Sequence, residues 1–404
     1  MRLTLILLLL LSSVVRADGD YQTQLNAVFQ IRVLDAQADQ KSSIGSGFAV
    51  SGDGYLITNY HVIQSVVNFP NGYRLEVISA TDEVIESRVV AVDVINDLAL
   101  LKIDIPLDVT LQLAAEEPSQ GARILSFGNP MDLGQTIVPG TWNGEVAHRF
   151  HRLINFSGAL NSGMSGGPAL NSNNEVVGVN VAGYGNNLSL LVPLSAVATM
   201  VSKIGIETPL DEQVSEQLLA DEAARIEALL AGDWSVEPLG GRPAIAAVTD
   251  FISCWGASNN DQQERRTNVI SRSCRTREGI YLNRHLQTGS IIYNQMVVEN
   301  IDLSPLQFEF EVHDAMNLGR QSPSDTDYVG PMSCHEAFLE GSYGGHKTIV
   351  CVRAYKRFAP LYDVYFKIGS PPQDGQVAMT ALALEGVSKS SAQQVIDKLL
   401  ETVL

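Results

Sequence analysis

Short apolar segments separated by Gly, Asn and Asp dominate residues 22–204. The clearest case is the pair 48–50 and 55–58, which flanks Ser51-Gly52-Asp53-Gly54 and so predicts a β-hairpin. The same pattern predicts further strands at 74–78, 84–92, 98–103, 123–127, 134–146, 153–156, 168–170, 176–181 and 188–192. Short strands at this spacing are typical of β-barrels or β-sandwiches, not of alternating strand–helix units.

The pattern changes after Gly205. Thr208 and Pro209 are followed by acidic residues, which predicts a helix start with Thr208 as the cap. Gly232 ends this helix, and the apolar residues at helical spacing are Leu219, Ala223, Ile226 and Leu230. We therefore expect a helical linker at 205–233, with about 22 residues in the helix.

Strand patterns return after residue 234, at 289–298, 306–312, 348–357, 362–368 and 377–384. Ser390 or Ser391 then caps a last amphipathic helix, whose apolar face is formed by Val395, Ile396, Leu399, Leu400 and Val403. We expect a separate α+β domain at 234–404, in line with a chain too long for one core. The sequence predicts no role for this domain.

The first 17 residues have the layout of a cleaved secretory signal. Arg2 is positive, residues 3–11 are apolar except for Thr4, and Val15 and Ala17 are small residues before a cut at Asp18. The apolar run of about nine residues is well short of the roughly 20 that a spanning helix needs. An uncleaved anchor is the alternative. We expect a periplasmic or secreted protein with no membrane partner after cleavage.

The charge balance bears on partners. The chain has 45 acidic and 27 basic residues, a net charge of −18, and loss of residues 1–17 removes two arginines to give −20. Such an acidic surface repels phosphate backbones and anionic lipids. We therefore expect protein or peptide substrates and no nucleic acid, and an oligomer is compatible with the sequence.

All four cysteines lie in the second half, at Cys254, Cys274, Cys334 and Cys351. An even count in an exported chain indicates disulfides. Of the three pairings we favour the local ones, 254–274 and 334–351, and each would close a loop worth about 3 kcal/mol. Zinc is the competing interpretation, but the chain contains no Cys-x-x-Cys. We expect no metal and no cofactor.

The most specific chemical signal is the glycine-rich segment 161–168, NSGMSGGP. A serine hydroxyl is a poor nucleophile until a neighbouring base takes its proton. Glycines around the serine let the chain turn so that the amides of Gly163 and Ser165 point at one spot, as an oxyanion hole requires. We expect Ser165 to be the nucleophile. A glycine-rich loop that happens to contain a serine is the alternative.

His61 and Asp97 are the expected partners of Ser165. His61 follows the predicted strand 55–58, where a ring can face a cleft. Asp97 opens the apolar strand 98–103, and an imidazole base needs its other nitrogen held by a carboxylate. Asp93 is the competing acid, but Asp97 adjoins the strand directly, so we favour Asp97.

The order of these residues distinguishes two classes of hydrolase. Residues 163–167 also match Gly-x-Ser-x-Gly, the nucleophile elbow, whose triad runs Ser, Asp, His along the chain. Here the order is His61, Asp97, Ser165, and the surroundings are strands. The order and the surrounding strands therefore argue against the nucleophile-elbow class and favour a serine protease whose triad runs His, Asp, Ser.

Residues 45–200 resemble the HtrA (high-temperature-requirement) family of trypsin-like serine proteases. The matching stretches are GSGFAVSGDGYLITNYHVI (45–63), NDLALLKI (96–103), SFGNPMDLGQTIVPG (126–140), ALNSGMSGGPALNSNNEVVGVN (159–180) and LVPLSAV (191–197). The resemblance implies two perpendicular six-stranded β-barrels at 18–204 with the active site between them. It also implies a serine endopeptidase with His61, Asp97 and Ser165 as base, acid and nucleophile, the Gly163 and Ser165 amides as oxyanion hole, and a place in protein quality control.

The resemblance extends to specificity. In this fold the residues four to six positions before the nucleophile line the primary pocket, and here they are Ala159, Leu160 and Asn161. None is acidic, so the pocket lacks a partner for a substrate Lys or Arg. Leu160 falls on the pocket wall, which implies a preference for small aliphatic residues at the cleaved position.

Two departures from the family pattern bear on function. Met164 stands where the family usually has Asn. Nothing after residue 205 resembles the peptide-binding PDZ domains of many members. Both leave open an alternative, a catalytically dormant protease fold that serves as a binding or chaperone-like module.

Overall fold

The structure, a computed structural model, describes residues 21–404 except 184, 186, 207, 318–326, 342, 343 and 359. The predicted signal sequence, residues 1–17, lies outside the described residues. In the described part of the chain, no helix combines the length and the apolar character needed to cross a bilayer.

The first β-module is an antiparallel sheet in the order β5-β4-β1-β2-β3-β7-β6. Its elements are α1 (Gln22–Asn26), β1 (Val28–Asp35), β2 (Gln40–Ser51), β3 (Tyr55–Thr58), α2 (Tyr60–Asn68), β4 (Tyr73–Ile78), β5 (Val84–Glu86), β6 (Arg88–Asp93) and β7 (Leu98–Lys102). The predicted hairpin is β2–β3 and is confirmed. β5 and β6 are one stretch interrupted at Ser87; one end pairs with β4 and the other with β7, so the sheet wraps around its core.

The second β-module is a closed six-stranded barrel in the order β10-β13-β12-β11-β8-β9. Its strands are β8 (Arg123–Gly128), β9 (Thr136–Glu145), β10 (Ile154–Phe156), β11 (Pro168–Leu170), β12 (Val176–Gly183) and β13 (Ser189–Pro193), followed by α3 (Leu194–Val201). A 3₁₀ turn covers Pro130–Asp132. The mostly β, two-barrel prediction is confirmed for this half of the chain.

A long helix, α4 (Leu210–Leu230), follows as predicted. The residue before it is Pro209 and no side chain caps it, so the prediction of Thr208 as cap is wrong; the Thr208 carbonyl instead accepts from the Gln213 side chain. The side chains of Gln213 and Gln217 accept hydrogen bonds from the amides of Val92 in β6 and of Val94 just after it. The helix thereby covers an edge strand of the first module and is not a free linker.

The second half is built on a seven-stranded antiparallel sheet in the order β16-β17-β20-β24-β23-β22-β21. Its elements are the hairpin β14 (Val236–Leu239) and β15 (Arg242–Ile245), β16 (Ile252–Ser258), β17 (Thr267–Thr276), the hairpin β18 (Ile280–Asn283) and β19 (Leu286–Thr288), β20 (Ile291–Asn300), α5 (Pro305–Met316), β21 (Ser333–Gly341), β22 (Gly344–Ala354), β23 (Tyr362–Gly369), β24 (Gln376–Val387) and α6 (Lys389–Val403). The amphipathic face predicted for α6 is confirmed, because Val395, Ile396 and Leu399 are buried against the sheet.

Two sequence predictions in this half are wrong. Residues 306–312 form part of helix α5, not a strand, because Ser304 and Gln307 make a capping box and Pro305 occupies the first turn. The alternation of apolar and polar residues in this segment imitated a strand. The last helix begins two or three residues earlier than predicted, since Ser388 rather than Ser390 or Ser391 is the cap and accepts the hydrogen bond from the Ser391 amide.

The two halves share one hydrophobic cluster. Val62 and Ile63 of α2 belong to the same buried cluster as Leu282 and Leu286 of the β18–β19 hairpin and Tyr355 beyond β22. The sequence pattern predicted a separate C-terminal domain, but it could not indicate this shared core. The second half therefore packs directly on the helix that carries His61.

Both predicted disulfides are formed. Cys254 pairs with Cys274 and Cys334 with Cys351, in each case between directly opposite residues of neighbouring strands. The first joins the edge strand β16 to β17 and the second joins the opposite edge strand β21 to β22. Each edge of the sheet is thus fastened covalently to its neighbour.

Removing the second disulfide by Cys334→Ala with Cys351→Ala should lower the free energy of unfolding by about 3 kcal/mol, because a loop of this size gains entropy in the unfolded chain. Urea unfolding followed by circular dichroism measures the loss. The wild-type protein in dithiothreitol provides the control and should unfold at a lower urea concentration than the double variant, since it loses both bridges. A wild-type midpoint that does not respond to reductant would contradict the role of both bridges.

Candidate active site

His61 lies in the first turn of α2, at the point where the chain leaves β3. β3 ends at Thr58, Asn59 is extended, and the helix begins at Tyr60. The predicted position after a strand is therefore the observed one, although the helix itself was not predicted. About one-third of the His61 side chain is exposed, and the ring borders an open cleft.

Asp97 contacts both the ring of His61 and the start of its helix. Its Oδ2 lies 2.6 Å from His61 Nδ1, and its Oδ1 accepts the His61 backbone N–H at 2.8 Å. The Asp97 carbonyl accepts from the Tyr60 amide and from the Asn59 side chain. Asp97 adopts a left-handed conformation, φ 57°, which aspartate tolerates better than most residues. The carboxylate thus holds the ring and satisfies free N–H groups at the helix N-terminus.

Asp93, the competing acid, has a different environment. Its Oδ1 accepts the backbone N–H groups of Ile95 and Asn96, and its Oδ2 accepts from the Asn96 side chain. These bonds shape the turn between β6 and β7. The structure therefore brings Asp97, and not Asp93, to His61.

The pKa of His61 reflects two opposing effects. Burial lowers it, but the negative charge of Asp97 and the hydrogen bond to it raise it more, so the net pKa lies above the usual value near 6.5. His61 is consequently protonated to a higher pH than a free histidine would be.

Ser165 lies in a loop held between the two β-modules. Ser46 of β2 is the main anchor: its amide donates to the Ser165 carbonyl at 2.7 Å, and its hydroxyl donates to the Gly163 carbonyl at 2.7 Å. From the other side, Asn180 of β12 accepts the Gly166 amide and donates to the Met164 carbonyl. The loop is fixed at both ends and from both modules.

The Ser165 hydroxyl donates to the carbonyl of Val181 at 2.9 Å. In the described part of the chain it makes no hydrogen bond to His61. Catalytic hydrogen bonds of this kind often form only when a substrate binds.

The amides expected to form an oxyanion hole are those of Gly163 and Ser165. Within the described ranges, neither the Gly163 N–H nor the Ser165 N–H donates to a protein acceptor. Gly163 has φ 93°, and a Cβ at this position would lie 2.4 Å from the Asn129 carbonyl oxygen. Glycine is therefore required here on two grounds, the backbone conformation and the close approach of the Asn129 carbonyl just after β8.

The residues predicted for specificity do not line the cleft that borders His61. Ala159 and Asn161 are exposed, and Leu160 is half-buried against the core of the second barrel. The Leu160 carbonyl approaches Gly183, whose added Cβ would lie 2.5 Å from it. Met164, the departure from the family pattern, is fully buried.

The residues that hold the Ser165 loop in place were not predictable from local patterns. The partner of Ser46 lies 117 positions away along the chain, and the partners of Asn180 lie 16 and 53 positions away. The contact of α2 with the second half was not predictable either, although the Tyr60 hydroxyl donates to the Leu282 carbonyl at 2.9 Å. At the other end of α2, Arg357 donates to the Val67 carbonyl and to the Asn68 side chain.

Groups of three or more His, Cys, Asp or Glu side chains suited to a metal ion do not occur among the described residues. His148 contacts the second half of the chain, and His151 contacts helix α4. His148 lies 3.1 Å from the Asp250 carbonyl oxygen, and His151 Nε2 lies 2.8 Å from Asp221 Oδ1.

Comparison with known proteins identifies proteins that are similar to the first half of the chain. Residues 45–179 match the family described as "Trypsin-like peptidase domain". The chain is 29% identical over 215 residues to a "Probable periplasmic serine endoprotease DegP-like" of Chlamydia trachomatis, covering 52% of this chain and 41% of that protein. It is 30% identical over 180 residues to "Serine endoprotease DegS" of Haemophilus influenzae, covering 41% and 51%.

A solved serine endoprotease from Yersinia pestis is 24% identical, covers 46% of this chain and 67% of that one, and has a TM-score of 0.40. The chain spans about half or less of the length of the curated relatives it matches. The fold and the family match together support a trypsin-like peptidase domain that includes residues 45–179. The named relatives support the HtrA-like resemblance that the sequence motifs predicted.

Tyr60→Phe removes the hydroxyl that joins α2 to the second half and should lower the free energy of unfolding by about 1 kcal/mol, the usual net value of one hydrogen bond. Thermal or urea unfolding measures this loss. Tyr73→Phe is the matched control, since the Tyr73 hydroxyl has no hydrogen bond in the part of the chain that the structure describes, and it should be neutral. Equal effects of the two changes would contradict the tether.

Proposed function

We propose that this protein is an exported serine endopeptidase that cleaves peptide bonds through an acyl-enzyme formed on Ser165. The observation that carries the proposal is the 2.6 Å contact of His61 Nδ1 with Asp97 Oδ2, in a site that also holds Ser165 on a fixed glycine-rich loop. The named relatives, serine endoproteases, support the same class of reaction.

Each group has a chemical role in this proposal. His61 takes the Ser165 proton as the hydroxyl attacks the scissile carbonyl, and later returns a proton to the leaving amine. Asp97 orients the ring and stabilises the imidazolium that forms. The Gly163 and Ser165 amides stabilise the negative oxygen of the tetrahedral intermediate, because they are held in place before the reaction begins.

Two further observations support a substrate preference and a compartment. The segment Ala159–Leu160–Asn161 offers no acid to a basic side chain, and its one large residue is aliphatic, which supports small aliphatic residues at the cleaved position. The two disulfides support an oxidising compartment, the periplasm or the exterior. We propose that the chain divides into a signal sequence (1–17), a protease domain (18–204), a helical linker (205–233) and a C-terminal domain (234–404). We also propose a role in protein quality control.

The second candidate is a catalytically dormant protease fold that binds proteins. The observation that favours it is the Ser165 hydroxyl, which donates to the Val181 carbonyl instead of to His61. A serine fixed in that rotamer would have no base. The two candidates therefore differ in whether Ser165 reacts.

A fluorophosphonate probe should label the purified protein at Ser165, because only an activated serine reacts readily with such probes. Peptide mapping by mass spectrometry locates the label. Ser165→Ala should abolish labelling and reduce peptide hydrolysis by about 10⁶-fold. Ser162→Ala, in the same loop, should retain the label. A protein that is folded but remains unlabelled would support the dormant candidate and overturn the proposal.

The rate of peptide hydrolysis should rise with pH and reach half its maximum above pH 6.5, because His61 must lose its proton to act as a base and Asp97 raises its pKa. Asp97→Asn removes the negative charge that raises the His61 pKa, so that burial should then lower this pKa. The same change should reduce kcat by about 10⁴-fold. The pH dependence of kcat/KM measures both effects.

Asp93→Asn is the control for this experiment, since it keeps the oxygen that accepts the turn amides and does not contact His61. It should retain the wild-type midpoint. A wild-type rate that stays constant from pH 5 to 8 would show that histidine is not the base.

A further inference from the structure

A cleft of about 490 Å³ opens beside His61 and Asp97. The two β-modules supply most of its lining, including Val94 before the acid and Val181 at the end nearest the serine. Because the Ser165 hydroxyl donates to the Val181 carbonyl, the expected nucleophile lies at that end. The remaining wall comes from the second half of the chain, through Glu278, Gly279 and Tyr281.

We infer that the C-terminal half forms one wall of the substrate cleft and that Tyr281 is a specificity-determining residue for peptide substrates. The inference rests on the proposed function and gives the C-terminal half a direct part in it. This wall contacts a substrate side chain close to the cleavage site. That side chain is not the one at the cleaved position, because Ala159, Leu160 and Asn161, the residues predicted for the primary pocket, do not line this cleft.

Tyr281 is held on a rigid element. It lies between Ile280 and Leu282 on β18, and both neighbours are buried in the cluster that includes α2. The Leu282 carbonyl accepts the hydrogen bond from Tyr60, the residue that precedes His61. Burial is the main cause that raises the pKa of Tyr281, and the nearby charge of Asp97 adds to it. The tyrosine ring is therefore a fixed part of the cleft, close to the acid of the site.

Glu278 fastens the other end of this wall. Its Oε1 accepts the Phe150 amide at 2.5 Å, and its Oε2 lies 3.2 Å from Arg149 Nε. Both partners belong to the segment that joins β9 to β10 in the second barrel. The carboxylate is almost wholly buried by these contacts, so it positions the wall and does not face a substrate.

The charges that line the cleft are already paired. Arg149 contacts Glu278, His151 contacts Asp221, and Arg152 contacts Glu117 and Glu145. The apolar lining includes Val94, Ile95, Leu153 and Leu190 together with Tyr281. A lining of aliphatic side chains and an aromatic ring favours an uncharged, apolar side chain. The substrate class is therefore a peptide with an apolar residue close to the cleavage site.

The test compares Tyr281→Ala and Tyr281→Phe with the wild-type protein on a library of peptides, with cleavage sites read by mass spectrometry. Wild type should favour one apolar position next to the cleaved residue, and Tyr281→Ala should lose that preference. For a peptide with the preferred residue, kcat/KM should fall about tenfold, mostly through KM. Tyr281→Phe keeps the ring and should restore both.

Trp255→Ala is the control, because this exposed aromatic residue lies on the edge strand β16 of the same half and lines a different pocket. It should keep the wild-type preference. Rates are expressed relative to fluorophosphonate labelling of Ser165 in each variant, which reports whether the serine reacts at all. Labelled protein whose cleavage preference does not change in Tyr281→Ala would overturn the inference and leave the proposed function intact. Unlabelled wild-type protein would instead overturn the proposed function.

Discussion

The Asp97 carboxylate at the N-terminus of α2 is the interaction on which the rest of the site depends. One oxygen contacts the His61 ring at 2.6 Å and the other accepts the His61 backbone N–H at 2.8 Å. The positive end of the helix dipole stabilises this negative charge, and the charge in turn completes the helix start. The same group therefore sets the position of the ring, the beginning of its helix and the pKa of the imidazole.

The opposite end of α2 is stabilised by the second half of the chain. Arg357 donates to the Val67 carbonyl in the last turn, where its positive charge stabilises the negative end of the helix dipole. Between the two ends, Tyr60 bonds to Leu282, and the apolar face of α2 enters a cluster shared with the β18–β19 hairpin. The C-terminal half thus supports the His61 helix and borders the cleft beside it, which gives a physical reason for its fusion to the protease domain.

Local patterns were enough to predict the β-hairpin at β2–β3, the two disulfides and the helix α4, because each depends on residues close together in sequence. The prediction of a strand at 306–312 was wrong because the alternation of apolar and polar residues was weighted above the helix-capping signals of Ser304, Pro305 and Gln307. Ser46, Tyr60 and Tyr281 could not be assigned from sequence, since their roles arise from contacts between distant segments. The positions of His61, Asp97 and Ser165 were predicted, and their catalytic roles await experiment.

Hydrogen exchange of the α2 amides in wild type and Arg357→Ala tests most directly whether the C-terminal half stabilises the His61 helix. Arg357 lies outside the cleft and contacts the last turn of α2, and it also pairs with Asp211 at the start of α4. We predict that the amides of α2 exchange about tenfold faster in the variant, because charge-assisted hydrogen bonds at the helix end are lost. Unchanged exchange throughout α2 would contradict a stabilising contact between Arg357 and the His61 helix.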